Sequence, residues 1–262
     1  MIKAKKSLGQ NFLIDQNIIE KITNTVEIDG KSILEIGPGT GNLTRSILKK
    51  KPKKILVIEK DKHLSELLNN SLGNEITILN KDVLKVNENN LDLDLLTVFG
   101  NLPYNISTEI LCKWILNIKN KNFWFENLVL MFQKEVADRI IAESNTKNYG
   151  RLSILANWKL DIIKVCDVKA SNFSPKPKVD SSVLLMKPNI NFFQLKNPMN
   201  LEKITRIFFM HRRKMLKKPY NQIFNGNLDI SRKLKIDLNL RPQNLNIETY
   251  FKLTKEYENL RG

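Results

Sequence analysis

The chain of 262 residues is long enough for one well-packed core and a smaller second unit. Its 43 lysines and arginines outnumber its 27 aspartates and glutamates, and the formal net charge of +16 favours a polyanionic partner such as nucleic acid. No apolar run has membrane-spanning length, no signal-peptide pattern opens the chain, and its histidines and cysteines lack metal-ligand spacing, so we expect a cytoplasmic protein without a metal.

The first predicted helix follows a short polar segment. Residues 7–13, Ser-Leu-Gly-Gln-Asn-Phe-Leu, are predicted to form a loop with an anchoring phenylalanine. Asp15 can cap the helix that follows, because isoleucines recur there at helical spacing and would pack on a core.

A glycine-rich turn follows the first predicted strand, residues 32–36. Gly37, Gly39 and Gly41 alternate there, immediately before a predicted helix. Such glycines let the backbone approach a ligand closely at a helix N-terminus. The spacing is GxGxG, whereas dinucleotide-binding proteins have GxGxxG, and Glu35 places a carboxylate beside the turn, which favours a cationic ligand. We therefore predict S-adenosylmethionine as the cofactor, with NAD as the less favoured alternative.

The next two predicted strands, residues 54–58 and 76–79, are each followed by an acidic residue suited to a nucleoside. Glu59 lies 18 positions after Gly41, close to the spacing expected of a carboxylate that accepts the ribose hydroxyls. Asp82 follows the second of these strands and could accept a hydrogen bond from an adenine amino group. A turn cap is the simpler role for a residue in its position.

The fourth predicted strand, residues 95–99, leads into Asn101, Leu102, Pro103 and Tyr104. This stretch suits a nucleobase, because the amide can bond to a base edge, proline stiffens the backbone and tyrosine offers a stacking face. By itself the tetrapeptide is more typical of an ordinary turn. Functional residues of open parallel sheets gather where strands end, so we predict the reaction site here.

Further predicted elements complete an α/β domain over residues 1–188. They are strands over 127–132, 160–165 and 183–186, the last two as an antiparallel edge pair, and helices beginning at Ser107 and spanning 133–143. Between the edge strands, Phe173, Lys176 and Lys178 lie in a loop that two prolines keep extended. The lysines favour phosphate, while Phe173 either faces a ligand or is buried.

Residues 189–262 are predicted to form a small all-helical domain with a basic ridge suited to phosphate contacts. Helices are expected over 201–216, 231–238 and 247–257. From residue 186 onward there are 16 basic and only 6 acidic residues. The basic residues are densest around Arg212, Arg213, Lys214 and Lys217, a ridge suited to phosphate contacts, with a solvated charged surface as the alternative.

Several of these stretches, taken in order, resemble the ribosomal RNA adenine N6-dimethyltransferases. They are residues 7–13, 35–41, 59–61, 82, 101–107 (Asn-Leu-Pro-Tyr-Asn-Ile-Ser) and 173–181 (Phe-Ser-Pro-Lys-Pro-Lys-Val-Asp-Ser). Residues 209–216 resemble the C-terminal Arg-Arg-Lys segment of the family, with His211 and Met215 as less usual variants. The resemblance covers essentially the whole chain, and the order of the motifs is far more specific than any one of them.

The resemblance implies a Rossmann-like class I S-adenosylmethionine-dependent methyltransferase with a helical C-terminal domain. The cofactor-binding residues that it implies are Asn11, Leu13, Gly37, Gly39, Gly41, Glu59, Asp82 and Asn101. Catalysis is assigned to Asn101, Leu102, Pro103 and Tyr104, with Phe173 as a second ring against a flipped adenine. RNA contacts are expected at Lys176, Lys178, Arg212, Arg213, Lys214 and Lys217.

The implied activity is dimethylation of two adjacent adenosines in a loop near the 3′ end of 16S rRNA, by a monomer that binds the immature 30S subunit. Three alternatives stay open. They are a 23S rRNA methyltransferase that confers antibiotic resistance, a non-catalytic role as an assembly or transcription factor, and a nicotinamide-dependent oxidoreductase. The Asn-Leu-Pro-Tyr form and the Arg-Arg-Lys segment disfavour the first, the intact motif set disfavours the second, and Glu35 with the glycine spacing disfavours the third.

Overall fold

The computed structural model describes residue 5 and residues 8–91, 95–119 and 121–261. Ser7, which opens the first motif, lies outside these residues. The same holds for most of the N-terminal stretch in which no signal peptide was expected. Among the helices that the structure describes, none is both long and apolar enough to cross a membrane. Two compact units make up the chain; the second comprises Ile115–Asn117, Asp138–Leu160 and the residues from Asn189 onward.

The first unit is built on a seven-stranded sheet with the strand order β4-β3-β2-β5-β6-β9-β7. The strands are β1 (Phe12–Leu13), β2 (Ser32–Ile36), β3 (Lys54–Ile58), β4 (Thr77–Leu79), β5 (Leu96–Asn101), β6 (Phe125–Gln133), β7 (Leu160–Val168), β8 (Phe173–Ser174) and β9 (Ser181–Pro188). β4, β3, β2, β5 and β6 pair in parallel, and β9 pairs antiparallel with β6. The predicted mostly parallel sheet with an antiparallel edge is confirmed.

The strands form where short apolar runs lie between polar turns. All five residues of β2 are buried, as are four of the five in β3, the continuous burial expected of parallel strands covered on both faces. Side chains from these strands pack with Ile19 and Ile22, which lie on the buried side of the first helix that Asp15 caps. The sheet is therefore a rigid base for the loops at its strand ends.

The helices are α1 (Gln16–Thr23), α2 (Asn42–Leu48), α3 (Lys62–Leu72), α4 (Ser107–Asn117), α5 (Lys134–Ile140), α6 (Arg151–Lys159), α7 (Pro198–Met210), α8 (Lys217–Phe224), α9 (Leu228–Lys233) and α10 (Ile247–Asn259). Three predicted helices extend too far, and one of them, expected over 231–238, instead spans Leu228–Lys233. The helix expected over 133–143 ends at Ile140, and the one expected over 201–216 ends at Met210. The basic residues from Arg212 to Lys214 therefore lie in a turn.

The second unit is helical, as predicted for the C-terminal residues, but it also includes α6 from the middle of the chain. Its core contains Trp158 from α6, whose indole nitrogen donates to the Phe193 carbonyl at 2.7 Å. Glu258 on α10 accepts hydrogen bonds from the backbone nitrogens of Lys196 and Asn197, both at 2.9 Å. The chain does pass from one unit to the other at the boundary expected at residue 188, but it also passes between the units at several earlier points.

Candidate active site

A cavity in the first unit lies at the carboxyl ends of β2, β3 and β5, where ligands bind in open parallel sheets. Five stretches supply most of its lining, namely residues 8–13, 35–40, 58–60, 81–84 and 100–106. Every predicted cofactor-binding residue except Gly41 lines this cavity. The fold thus brings into one lining residues as far apart in the sequence as Leu8 and Val183.

The glycine turn after β2 is left-handed at three positions, Gly37, Gly39 and Gly41, with φ values of +66°, +59° and +79°. At Gly39 the space also demands glycine, because an added Cβ would lie 2.8 Å from the ring of Phe12. The Gly39 amide donates to Glu59 Oε2 at 3.2 Å. Gly41 is the N-cap residue of α2 and does not line the cavity.

Three carboxylates line the cavity, and Glu35 is the most deeply buried of them, with 1% of its surface exposed. Its Oε2 accepts a hydrogen bond from the Thr44 hydroxyl at 2.7 Å. Burial raises the pKa of Glu35 to about 7; the Thr44 bond offsets part of that rise, and the charge of Glu59 adds to it. A cationic ligand in the cavity would favour the ionised form.

Glu59 follows β3, and both of its carboxylate oxygens already accept backbone hydrogen bonds. Oε1 accepts from the Asp61 amide at 2.8 Å, and Oε2 accepts from Gly39. Burial raises the pKa of Glu59 above its ordinary value even though these hydrogen bonds lower it. Each carboxylate oxygen has a second lone pair, so the side chain is fixed in place and can still accept from a ligand hydroxyl.

Asp82 has the capping role considered for it from the sequence. Its Oδ1 accepts from the Leu84 amide at 3.0 Å and so caps the short 3-10 helix Val83–Lys85. Its Oδ2 accepts from Lys60 Nζ at 2.8 Å, and this bond, ahead of the other causes, lowers the pKa of Asp82. Asp82 also lines the cavity, which makes the cap compatible with a ligand contact.

Residues 8–13, here called the N-terminal strap, cover one side of the cavity. The Leu13 carbonyl accepts from Asn42 Nδ2 at 2.9 Å, and the Asn11 carbonyl accepts from Asn101 Nδ2 at 2.7 Å. Near the start of the strap, Gln10 Nε2 donates to Asp61 at 3.0 Å. Hydrogen bonds to three separate segments, at the starts of α2 and α3 and at the end of β5, therefore hold the strap against the glycine turn.

The Asn101–Tyr104 stretch leaves the end of β5 and enters the cavity lining. Leu102 is buried, whereas Pro103 and Tyr104 are half-buried. The Tyr104 hydroxyl lies 2.6 Å from the Ser181 hydroxyl, and burial raises the pKa of Tyr104, so the phenol is neutral near pH 7. The structure thus places an amide, a rigid proline and an aromatic ring side by side at one cavity wall.

Phe173 lies elsewhere than the stacking role requires. Its side chain is only 3% exposed, packs in the hydrophobic core of the first unit and does not line the cavity. β8 pairs with β1, so that Phe173 lies opposite Leu13. Of the two alternatives left open by the sequence, the structure shows the buried one, and the strand that covers Phe173 comes from a point 160 positions earlier in the chain.

The basic residues assigned to RNA differ in what they contact. Lys176 and Lys178 lie on the loop after Phe173, and Lys217 lies in the second unit together with Arg213 and Lys214. The Arg212 guanidinium is half-buried, donating to Gln243 Oε1 at 3.2 Å and to the carbonyls of Thr146 and Lys147. Arg212 therefore ties together three segments of the second unit.

The sequence interpretation assigned no role to several residues that shape the site. Asp61 anchors the strap, Thr44 supports Glu35, and Ser181 holds Tyr104. Asp61 and Ser181 lie inside motifs of the resemblance, which is the only signal that the sequence offers for them. Thr44 gives no such signal, because a threonine on the buried side of a helix is ordinarily a packing residue.

Comparison with known proteins gives a consistent result. A family model described as "Ribosomal RNA adenine dimethylase" matches residues 1–259. The "Ribosomal RNA small subunit methyltransferase A" of Pelagibacter ubique (strain HTCC1062) is 64% identical over 261 residues, covering 100% of this chain and 99% of that protein. The protein of the same name from Wolbachia sp. subsp. Drosophila simulans is 43% identical, covering 98% and 95%.

Two solved structures share the fold over most of the chain. A dimethyladenosine transferase from Plasmodium falciparum superimposes with a TM-score of 0.81 at 28% identity, over 95% of this chain and 98% of that one. The 23S rRNA methyltransferase ErmE gives a TM-score of 0.69 at 21% identity, over 95% and 100%, a likeness that concerns the fold alone.

Proposed function

Because the chain belongs to the ribosomal RNA adenine dimethylase family, we propose that it dimethylates N6 of two adjacent adenosines in 16S rRNA. The relatives named for the small subunit carry this choice of RNA, being 64% and 43% identical over nearly the full chain. The family resemblance, the class I methyltransferase fold and S-adenosylmethionine as cofactor are confirmed. The residues that perform the reaction and their roles form the rest of the proposal.

The cavity suits S-adenosylmethionine in its shape and in its donors and acceptors. The Gly39 turn leaves room that a Cβ would fill, and Glu35 supplies negative charge for a ligand that carries a sulfonium and an amino group. We assign the ribose hydroxyls to Glu59 and the adenine amino group to Asp82, with the strap covering the methionine portion. When bound, this cofactor supplies an electrophilic methyl group.

Asn101 is proposed to orient the target amino group. A carbonyl can only accept hydrogen bonds, so the Asn101 atom that faces the Asn11 carbonyl is the NH2 group, and the amide oxygen is presented to other partners. That oxygen and the Leu102 carbonyl would accept the two hydrogens on adenine N6. An N6 held in this way is more pyramidal and its lone pair less delocalised, which makes it a better nucleophile.

Tyr104 is proposed as the ring on which the flipped adenine stacks, worth about 1–3 kcal/mol. No dedicated base is required, because the methylated amine is strongly acidic until it loses a proton to water. A second transfer at the same nitrogen completes the dimethyl product. Phe173 is buried in the core, so Tyr104 alone of the two rings supplies the stacking surface.

The RNA contacts are proposed to come from basic residues in both units, namely Lys176, Lys178, Arg213, Lys214 and Lys217. The partner would be the immature 30S subunit, bound by a monomer in the cytoplasm. A resistance methyltransferase acting on 23S rRNA is the less favoured candidate, because the relatives that are 64% and 43% identical are named for the small subunit. Family membership removes the nicotinamide-dependent oxidoreductase.

One experiment tests the activity and its RNA together. The purified chain is incubated with methyl-labelled S-adenosylmethionine and either unmodified 30S or unmodified 50S subunits, and the modified bases are then mapped. We expect label only in 30S, as dimethyladenosine at two adjacent positions. Label confined to 50S would support the 23S alternative, and no label in either subunit would leave only a binding role.

A further inference from the structure

Tyr104 is held by hydrogen bonds at both its backbone carbonyl and its phenol oxygen. At the backbone, the Ser107 hydroxyl donates to the Tyr104 carbonyl at 3.3 Å. At the far end, the phenol oxygen lies 2.6 Å from the hydroxyl of Ser181, a residue with 0% of its surface exposed. The ring therefore cannot rotate away from the cavity wall without breaking a short, partly buried hydrogen bond.

The residue that holds the phenol sits on a rigid base. Ser181 opens β9 and lies opposite Gln133 in β6. Immediately before it, the Asp180 carbonyl accepts from the Lys134 amide and Asp180 Oδ1 accepts from the Ala170 amide, both at 2.9 Å. These bonds, together with the pairing to β6, fix the backbone from which the Ser181 side chain extends.

A simpler role for Ser181 is that it only satisfies the buried end of a tyrosine, as any buried polar group requires. Two features indicate an additional role for Ser181. Tyr104 is the aromatic ring of the Asn101–Tyr104 stretch and lines the cavity beside Asn101. Its hydroxyl is bonded to a strand 77 positions away, so the ring bridges the reaction site and a second, independently anchored strand.

We propose that Ser181 is a positioning residue for the methyl transfer: by holding the Tyr104 hydroxyl, it fixes the plane on which the target adenine stacks. The inference rests on the function proposed above and adds a residue to it. A base stacked on a fixed ring presents N6 to Asn101 at one angle, whereas a freely rotating ring offers a range of angles of which few allow transfer.

The test compares Ser181→Ala, Tyr104→Phe and the double variant, with unmodified 30S subunits as substrate. Each single variant removes the same hydrogen bond, so each should lower kcat/KM about 3- to 10-fold. The double variant should be no slower than either single variant, because the bond can be lost only once. The dissociation constant for S-adenosylmethionine should stay at the wild-type value, since neither hydroxyl is assigned to the cofactor.

The next residue provides a matched control. Ser182 is also fully buried, and its hydroxyl donates to Asp167 Oδ1 at 2.6 Å, away from Tyr104. Ser182→Ala should lower the melting temperature as much as Ser181→Ala and leave the rate of methyl transfer unchanged. An RNA with 2-aminopurine at the target position adds a direct readout, because stacking quenches its fluorescence; the bound RNA should be brighter with Ser181→Ala than with Ser182→Ala.

Three results would overturn the inference: equal loss of activity in Ser181→Ala and Ser182→Ala, losses that multiply in the double variant, or wild-type kcat/KM in Ser181→Ala. If Ser181→Ala does not fold, Tyr104→Phe still tests the bond from its other side, and wild-type kinetics there would overturn the inference as well. Failure of the proposed function looks different, because the wild-type protein itself would then transfer no methyl group.

Discussion

At the scale of single residues, the Asn101 amide shows how one hydrogen bond decides what a side chain offers to a substrate. Its Nδ2 is engaged by the Asn11 carbonyl at 2.7 Å, and no hydrogen bond to its Oδ1 is found among the described residues. The donor half thus holds the strap, while the acceptor half can receive the target amine. Replacing this residue should therefore affect chemistry far more than cofactor binding.

Asn101→Ala is expected to abolish measurable methyl transfer, a loss of at least about 100-fold in kcat, because both the acceptor and its orientation disappear. Binding of S-adenosylmethionine, measured by calorimetry, should weaken only slightly, since the Asn42 bond still holds the strap. A variant with full activity would contradict the role assigned to Asn101. A variant that bound no cofactor would show that its main role is to hold the strap.

Glu35 combines a cost to stability with a gain for the ligand. Its pKa of about 7 in the folded protein exceeds the ordinary 4.5, so the folded chain holds this proton more tightly than the unfolded chain does. The contribution of Glu35 to the free energy of unfolding therefore falls as the pH rises from about 4.5 to 7, and it stays low above that range. A buried charge that costs stability near neutral pH is expected where a cationic ligand must bind.

Glu35→Gln tests both effects. At pH 8 the free energy of unfolding should rise by about 1–3 kcal/mol, because a neutral amide replaces a buried charge, and the gain should shrink toward zero near pH 5. The affinity for S-adenosylmethionine at pH 8 should fall about tenfold or more. Urea denaturation and calorimetry at the two pH values measure these effects. An unchanged affinity would remove Glu35 from the cofactor site.

At the scale of elements, the glycine turn before α2 packs against the strap. The closest approach is at Gly39, where an added Cβ would lie 2.8 Å from the ring of Phe12 in the strap. The turn and its helix could be predicted from local sequence, since alternating glycines between an apolar strand and a helix are typical of a nucleotide-binding turn. The strap could not. Its position depends on bonds to Asn42 and Asn101, both distant in sequence, and its own residues are typical of a surface loop.

Gly39→Ala and Gly30→Ala form a matched pair. Both glycines are left-handed, at φ +59° and +67°, but an added Cβ at Gly30 meets no atom within 4 Å. Both variants should lose about 1 kcal/mol of stability to backbone strain. Only Gly39→Ala should also displace Phe12 and weaken S-adenosylmethionine binding, by about tenfold. Equal affinities in the two variants would mean that the strap does not contact the cofactor.

α6 shows where periodicity fails as a signal. Ser153, Ile154, Leu155 and Ala156 are all buried, so the helix is covered on every side and shows no apolar stripe. The strands of the sheet, by contrast, are short continuous apolar runs bounded by polar turns, which is why their positions were predicted to within a few residues. Local patterns therefore predicted the strands of the sheet better than this enclosed helix.

At the scale of the whole molecule, the net charge of +16 favours binding to a polyanion such as RNA but does not identify the contacts. Arg212 is adjacent to Arg213 and Lys214 in sequence, yet its guanidinium is taken up by Gln243 and two backbone carbonyls. The density of basic residues in the sequence could not distinguish an arginine bonded within the fold from basic residues proposed to contact RNA. The distinction depends on segments 31 and 65 positions away, which only the folded chain brings together.

The salt dependence of 30S binding separates the two roles. Arg213→Gln with Lys214→Gln should reduce the slope of log affinity against log salt concentration by about 1.4–1.8, because two phosphate contacts are lost. Arg212→Gln should leave the slope nearly unchanged and lower the free energy of unfolding by about 1–3 kcal/mol. Filter binding across a salt series and urea denaturation provide the measurements. A slope that falls by a full phosphate contact in Arg212→Gln would reassign that residue to RNA.

The pairing of β1 with β8 has a consequence for the order of events in a reaction that must be repeated. Leu13 of the strap lies in register opposite Phe173, at the base of the loop that carries Lys176 and Lys178. An RNA that drew Phe173 out of the core would lose about 1.5–3 kcal/mol of hydrophobic stabilisation. It would also pull on the N-terminal strap through the pairing with Leu13. If RNA binding displaced Phe173 in this way, nucleotide binding would weaken cofactor binding, and by thermodynamic reciprocity the cofactor would weaken nucleotide binding by the same factor.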